Sequence, residues 1–335
     1  MSAGRRALKT AGIVAGVAAT AAGSAYVAQR AALATIRRRP DPDAGTLGQL
    51  EFDESRRLPS HDGGTVYTAL RGHGAPILLS HGVTITSRVW VKQFRSLPRH
   101  GLQIIAFDHR GHGESTLGDS GHSVDNLATD LRTVIEALDL HDAILVGHSM
   151  GGVAVQAFAL RYPDVLHDRV RGLVLASTLG KTSLSASRQL RSLAERVTGG
   201  FDLRKVMDRP NLGSMFARIG FGREPLASHV ELNREMLASC DSTTAREATT
   251  ALLGLDLTAE LPHLDIPTLV VGGTADVITP PAESRRLAQL IPGARLHLFE
   301  GAGHMLMLER SEAFDALLID FARDVGVLPA AAGAA

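Results

Sequence analysis

The chain has one cysteine, Cys240, one tryptophan and three tyrosines. A single cysteine can form neither an internal disulfide nor a cysteine-rich zinc site, so the fold must be held together by its core. An excess of charge of one sign is also absent, because 35 lysines and arginines balance 35 aspartates and glutamates. Proteins that bind nucleic acid usually carry a basic excess, so we expect no nucleic-acid partner.

What is present is the composition of a globular protein. Of the 335 residues, 44% are hydrophobic and 21% are charged, which is enough for a sizeable core. A chain of this length forms one large domain or two small ones.

Residues 10–29 contain no charged side chain and are flanked by basic residues on both sides. As a helix, the run would be about 30 Å long, close to the thickness of the hydrocarbon core of a membrane. The run consists mostly of alanine, glycine and valine, so the hydrophobic driving force for its insertion into a membrane is weak. A membrane anchor, a cleaved export signal and a soluble alanine-rich helix remain open. We expect membrane association through residues 10–29, within an N-terminal segment 1–47; export and a cytoplasmic location are the alternatives.

From residue 48 onwards, short apolar runs alternate with longer amphipathic ones. The apolar runs predict strands at Thr65–Leu70, Pro76–Ser80, Leu102–Phe107, Ala143–Val146, Gly172–Ala176, Thr268–Gly272 and Arg295–Phe299. The amphipathic runs predict helices at Asp125–Leu138, Gly152–Arg161, Ala282–Leu290 and Glu312–Arg323. This alternation predicts an α/β fold with a mostly parallel sheet and helices on both faces.

The alternation stops between residues 179 and 264. This stretch contains amphipathic runs, such as Arg188–Val197 and Ala227–Ala238, but no convincing strand. We interpret residues 179–264 as a helical cap inserted into the core, because an insertion between two strands can form a lid over a site. The core is then divided into residues 48–178 and 265–328, and residues 329–335 form a loose tail.

The strongest chemical signal is the run Gly147-His148-Ser149-Met150-Gly151, directly after a predicted strand and before a predicted helix. This is the G-x-S-x-G nucleophile elbow in the context that it requires. The serine of such an elbow occupies a strained backbone conformation, so residues two positions away must be small. We expect Ser149 to be a nucleophile.

A serine hydroxyl needs a base to take its proton. His304 follows the last predicted strand in the flexible run Gly301-Ala302-Gly303-His304, and we expect it to be that base. Asp276 follows the preceding strand and is the expected orienting acid; Asp265 and Asp241 are weaker alternatives.

We expect the backbone amides of Met150 and Val83 to form the oxyanion hole, with the side chain of His81 orienting the loop around Val83. Trp90 and His148 are the candidates for substrate contact, although packing of Trp90 on the sheet is equally consistent with its spacing.

The run from Asp108 to Ser115 contains three groups of the kind that bind metals, Asp108, His109 and His112. They do not complete a zinc-site spacing, so we expect a structural turn around Asp108 and Arg110 and no metal.

The His81-Gly82 pair, the run Phe107–Gly113, the elbow and the runs Gly272–Asp276 and Gly301–His304 resemble the α/β-hydrolase superfamily over residues 48–327. The resemblance implies an eight-stranded sheet, a cap after the sixth strand and no cofactor. The elbow is similar to that of monoacylglycerol lipases. The spacing from His81-Gly82 to Trp90 and Gln93 is similar to that of cofactor-free haloperoxidases and related esterases.

The expected activity is hydrolysis of small-molecule carboxylic esters, including lipid-like ones, through an acyl-enzyme on Ser149. Perhydrolysis, amide hydrolysis and lactone opening use the same triad geometry and remain alternatives. A catalytically silent protein that holds a ligand under the cap is a further alternative. The sequence leaves the oligomeric state open.

Overall fold

The computed structural model describes residues 30–31, 33–182 and 203–330. Within them lies one sheet of eight strands. The strands are Glu54–Pro59 (β1), Thr65–Arg71 (β2), Ala75–Ser80 (β3), Leu102–Phe107 (β4), Ala143–His148 (β5), Val170–Ala176 (β6), Thr268–Gly273 (β7) and Arg295–Phe299 (β8).

The strand order is β1-β2-β4-β3-β5-β6-β7-β8. The pairs β1–β2 and β2–β4 are antiparallel and all the others are parallel, which confirms the expected mostly parallel eight-stranded sheet. The crossover between β4 and β3 brings the ends of β3 and β5 side by side. Ligands of open α/β sheets bind where the strand order reverses, at the carboxyl ends of the strands.

Helices cover both faces of the sheet. They are residues 30–31 with 33–38 (α1), Val91–Ser96 (α2), Val124–Ala137 (α3), Met150–Arg161 (α4), Pro163–Arg169 (α5), Leu203–Met207 (α6), Pro210–Ala217 (α7), Ala227–Ser239 (α8), Ser242–Leu252 (α9), Pro281–Leu290 (α10), Leu306–Glu309 (α11) and Ser311–Asp324 (α12). Ser123 caps α3: its hydroxyl accepts a hydrogen bond from the amide of Asn126.

Alternate residues of the strands enter two different cores, because successive side chains of a strand point to opposite faces. On β3, Ile77 and Leu79 pack with the side chains of α2 and α12. Leu78 packs on the other face with α3, α4 and α10. Both faces are covered, which explains why these strands appear in the sequence as continuous apolar runs.

All seven predicted strands are present, and β1 is an addition. Its sequence, Glu54-Ser55-Arg56-Arg57-Leu58-Pro59, has only one buried side chain, that of Leu58. β1 is an edge strand held by antiparallel pairing with β2, so it shows neither an apolar run nor a clear alternation.

The described residues between β6 and β7 are mainly helical, from α6 to α9. This agrees with a cap inserted after the sixth strand. The exact division at residues 179 and 264 stays a prediction, and the run Arg188–Val197 lies outside the described residues.

An N-terminal segment, residues 39–47, runs from α1 over the cap to the core; we call it the strap. The Asp41 carboxylate accepts hydrogen bonds from the amide and hydroxyl of Ser228 in α8. The Asp43 carboxylate pairs with Lys92 of α2 and His229 of α8. The strap thereby connects the cap helix α8 to the core helix α2.

In the described part of the chain, no helix has the length and apolar character needed to cross a membrane. Residues 10–29 and 331–335 lie outside it, so the expectations for the N-terminal run and for most of the tail stay predictions.

Candidate active site

A cavity of about 300 Å³ lies between the carboxyl ends of the strands and the cap. Its wall is mainly apolar, with a few polar groups at the core side. The lining residues are Gly82, Val83, Thr84, Ile85, His148, Ser149, Phe216, Ala217, Ile219, Gly220, Asn233, Leu237, Ile278, His304 and Met305.

Ser149 occupies the turn between β5 and α4 and reaches this cavity. Its φ angle is +53°, a conformation that residues other than glycine rarely adopt. The Ser149 amide donates to the carbonyl of Ala176, and the Thr178 hydroxyl donates to the carbonyl of Ser149 at 2.7 Å. These bonds from the end of β6 hold the strained turn in place.

The glycines of the elbow are required by close packing. A Cβ atom on Gly151 would overlap the carbonyl of Ser80, and one on Gly147 would overlap the carbonyl of Gly151. Both contacts are with backbone atoms, which cannot move aside as a flexible side chain can. The sequence argument for small residues at these positions therefore has a direct steric basis.

The carboxylate of Asp276 lies 2.9 Å from Nδ1 of His304. The Asp276 carboxylate also accepts hydrogen bonds from the amides of Ile278 and Thr279 and from the Thr279 hydroxyl at 2.7 Å. Burial alone would raise the pKa of Asp276, but the nearby His304 charge and these hydrogen bonds hold it below its usual value. An anionic Asp276 fixes the proton of His304 on Nδ1 and leaves Nε2 with its lone pair.

The loop that carries His304 is tied to the cap. The amides of His304 and Met305 donate to the carbonyl of Gly220. The half-buried carboxylate of Glu309 accepts hydrogen bonds from the amides of Gly303 and Gly222, at 2.9 and 2.8 Å. Sequence reasoning missed this role of Glu309, which joins the histidine loop and the cap.

Val83, one of the two residues expected to supply oxyanion-hole amides, lines the cavity, and the other, Met150, directly follows Ser149 as the first residue of α4. The neighbouring Thr84 has a φ of +62° and its amide donates to Nε2 of His112. His81 lies behind the loop: its Nε2 accepts from the amide of His109, and its Nδ1 is 2.7 Å from the carbonyl of Gly82.

The family model described as alpha/beta hydrolase fold matches residues 75–311. The chain belongs to the α/β-hydrolase family.

Characterised relatives and solved structures agree with this assignment. A non-heme haloperoxidase from Rhodococcus erythropolis is 30% identical over 79% of this chain and 98% of its own length. A bifunctional esterase/perhydrolase from Acinetobacter calcoaceticus is 26% identical over 74% of this chain and 92% of its own. The structure of a thermophilic esterase from Thermogutta terrifontis is 26% identical, with a TM-score of 0.68, over 81% of this chain and 99% of that one. The chain is a hydrolase-type enzyme of this family.

For Trp90, the sequence left open substrate contact and packing on the sheet, and in this α/β-hydrolase the side chain packs. The indole is fully buried, stacks on Phe314 and meets the edge of His148. Trp90 therefore packs beneath the site and does not line the cavity, because the 3-10 turn Ser87–Trp90 directs it into the core.

His148 lines the cavity, as expected for a substrate contact, but it also has a structural bond. Its Nε2 is 3.0 Å from the carbonyl of His304, to which it can only donate. Burial holds the pKa of His148 well below its usual value, so the ring is neutral. Its hydrogen bond to the backbone of His304 helps to hold the catalytic base in position.

The turn after β4 is structural, as predicted. Asp108 accepts from the amides of Ser87 and Glu114, and Arg110 pairs with Asp62 and Asp130 in the protein interior. The described residues contain no cluster of histidine, cysteine and acidic side chains arranged to hold a metal.

Sequence analysis cannot separate cavity residues of the cap from residues of its interior. Phe216 lines the cavity, whereas Met207, Met215, Phe221 and Met236 are buried in the packing. The sequence also did not reveal that Thr279 contacts Asp276 or that Thr178 contacts the backbone of Ser149. A threonine three residues after an aspartate is nevertheless typical of a turn closed by side-chain hydrogen bonds.

Proposed function

We propose that this chain hydrolyses small carboxylic esters with Ser149 as nucleophile, His304 as general base and Asp276 as the orienting acid. The observation that carries the proposal is the 2.9 Å contact between Asp276 and Nδ1 of His304, in a cavity that Ser149 also lines. This arrangement brings an oriented base and a serine on a strained turn to the same cavity, and nucleophilic acyl transfer requires both.

In the first half of the reaction, Oγ of Ser149 attacks the ester carbonyl and its proton passes to Nε2 of His304. The carbonyl oxygen becomes negatively charged, and the amides of Val83 and Met150 donate hydrogen bonds to it. When the tetrahedral intermediate collapses, the carbon–oxygen bond to the alcohol breaks. His304 gives its proton to the alcohol, and the acyl group stays on Ser149.

In the second half, His304 takes a proton from water, and the hydroxide attacks the acyl group. The bond to Ser149 breaks, the serine recovers its proton from His304, and the carboxylic acid leaves. Asp276 stays ionised throughout and stabilises the imidazolium in both halves, which its lowered pKa supports.

The substrate class follows from the cavity. About 300 Å³ is the lower end of the range for small-molecule sites, and the apolar wall favours an acyl or alcohol group without charge. Ser149 and His304 are polar groups on the core side, where the ester bond would lie, and Asn233 of α8 is a polar group on the cap side.

The test is hydrolysis of a series of nitrophenyl esters of increasing acyl length, with mass spectrometry of the protein during turnover. Ser149→Ala should abolish hydrolysis and the acyl adduct, whereas Ser55→Ala on the edge strand should preserve both. Turnover by Ser149→Ala at the rate of the parent would overturn the proposal.

Two relatives, a haloperoxidase and an esterase/perhydrolase, favour perhydrolysis as a second candidate. Hydrogen peroxide would then replace water in the second half and release a peroxy acid from the same acyl-enzyme. Peroxide-dependent release of peroxyacetic acid from an acetate ester tests it, and absence of that product would contradict perhydrolysis.

We also propose that residues 10–29 contribute to membrane association. The support is in the sequence, since the run is uncharged and flanked by basic residues. Cell fractionation of the full chain and of a chain without residues 1–39 tests this; equal distributions would contradict it.

A further inference from the structure

Large exposed apolar side chains are concentrated at the mouth of the cavity. Eight large hydrophobic side chains are exposed in the described part of the chain, and five of them lie here. They are Leu212, Phe216 and Ile219 of the cap, with 37, 38 and 49% exposed, and Val277 and Ile278 of the loop after β7, with 69 and 49%. We call these five residues the rim.

The rim is a continuous feature, although it comes from two distant parts of the chain. Phe216, Ile219 and Ile278 all line the same cavity. Leu212 precedes Phe216 by one helical turn on α7, and Val277 is adjacent to Ile278. Contiguous apolar surface at the edge of a pocket marks a place where a ligand or partner docks.

Basic residues outnumber acidic ones in the chain segments that carry or contact the cap part of the rim, although the whole chain has no net charge. Residues 203–223 contain five basic side chains and one acidic one. Residues 30–40 contain four arginines and no acidic residue. The two stretches are in contact, because Leu33 and Ile36 of α1 pack on Met215 of α7 and Arg37 donates to the side chain of Asn211.

We propose that the rim docks on an anionic lipid surface, so that the mouth of the cavity opens towards the lipid. An apolar patch with flanking arginines is the combination that binds the boundary between acyl chains and negatively charged headgroups. A second copy of the chain is a poorer occupant, because two basic faces would repel each other.

The consequence for catalysis rests on the proposed function. Esters dissolved in the lipid could enter the cavity past Phe216, Ile219 and Ile278 without crossing water. The surface itself can be tested without any assay of ester hydrolysis.

The test adds one tryptophan at a time to the full chain, which already contains Trp90. The native Trp90 is fully buried and gives a constant background. Leu212→Trp and Val277→Trp place reporters on the rim but outside the residues that line the cavity. Leu296→Trp is the matched control: Leu296 is 40% exposed on β8, away from the cavity.

Each variant is mixed with vesicles of phosphatidylcholine and phosphatidylglycerol, with and without brominated acyl chains. The proposal predicts a blue shift and bromine quenching for Leu212→Trp and Val277→Trp, neither for Leu296→Trp, and weaker effects with phosphatidylcholine alone. Vesicle binding without quenching at the rim would mean that another part of the chain, such as residues 10–29, holds the membrane, and this would overturn the proposal. Absence of vesicle binding would also overturn it.

A charge-insertion pair gives an independent measurement. Leu212→Asp with Val277→Asp should lower partitioning into the anionic vesicles about tenfold or more, because two apolar contacts are lost and charge is placed in the interface. Leu117→Asp with Leu296→Asp, at exposed positions outside the rim, should leave the partitioning unchanged. Equal partitioning of both double variants would contradict the proposal. Labelling of Ser149 by a fluorophosphonate in the same samples shows separately whether the proposed nucleophile is active.

Discussion

Asp276 and His304 are joined by a 2.9 Å contact between Oδ2 and Nδ1, and both side chains are almost fully buried although His304 borders the cavity. The hydroxyl of Thr279 lies between them, 2.7 Å from Oδ2 of Asp276 and 3.2 Å from Nδ1 of His304. The pair thus has its orientation set by fixed hydrogen bonds and not by solvent.

The first prediction concerns Asp276→Asn. The amide keeps the shape of the carboxylate but removes its charge and can stabilise the wrong tautomer of His304. We expect kcat to fall by about 10⁴-fold, the scale known for this change in serine triads. Steady-state kinetics on a short ester measures it, with circular dichroism as the control for folding. A loss of less than tenfold would assign the orienting role to another group.

The second prediction concerns Thr279 as a positioning residue. Thr279→Val removes one hydrogen bond to a charged acceptor, which corresponds to about a tenfold loss of kcat. KM should hardly change, because Thr279 does not line the cavity. Thr279→Ser keeps the hydroxyl and should restore kcat; equal losses in both variants would indicate packing as the cause.

The third prediction concerns α1 and the strap. Removal of residues 1–47 takes away the contacts of Leu33 and Ile36 with the cap, and those of Asp41 and Asp43 with Ser228 and His229. We expect the free energy of unfolding to fall by about 3 kcal/mol or more. The loss comes from the two buried side chains and from the hydrogen bond that the Asp41 carboxylate accepts from the first turn of α8. KM should rise, because α7 and α8 line the cavity.

Removal of residues 1–29 alone is the matched control for this truncation, since every named contact of α1 and the strap remains. Urea unfolding and ester kinetics compare the two chains. If both truncations have the same stability and KM, the strap does not hold the cap.

The fourth prediction concerns acid stability. Burial lowers the pKa of His81 to about 4 and that of His112 to about 3, so both rings are neutral in the folded protein. The unfolded chain takes up these protons near pH 6.5, so the stabilisation is complete above that pH and is lost as the pH falls towards 4. Each histidine contributes a slope of about 1.4 kcal/mol per pH unit within this window.

Urea unfolding at a series of pH values from neutral to 4 measures this slope. The free energy of unfolding should decrease steadily over the window. A constant value would mean that these histidines take up protons equally in the folded and unfolded chains.

Much of the fold could be predicted because parallel strands covered on both faces are continuous apolar runs, as at Leu102–Phe107 and Ala143–His148. β1 could not, because its exposed residues form a strand only by pairing with β2. Its identity as a strand depends on a neighbour and not on its own pattern.

Some residues of the candidate site could likewise be predicted from the sequence, and others could not. Ser149, Asp276 and His304 directly follow strands or occupy loops next to strand ends, so their positions in the chain indicate that they meet. Glu309 and Thr279 act through contacts that spacing does not show. The position of Trp90 was left open, because its neighbours in the sequence do not reveal whether the side chain points to the cavity or beneath it.

The most direct test of the account is labelling with a fluorescent fluorophosphonate, which reacts only with an activated serine. The intact chain should be labelled, and both Ser149→Ala and His304→Ala should lose the label while remaining folded. Absence of labelling in the folded intact chain, or labelling that persists in Ser149→Ala, would contradict an acyl-enzyme on Ser149.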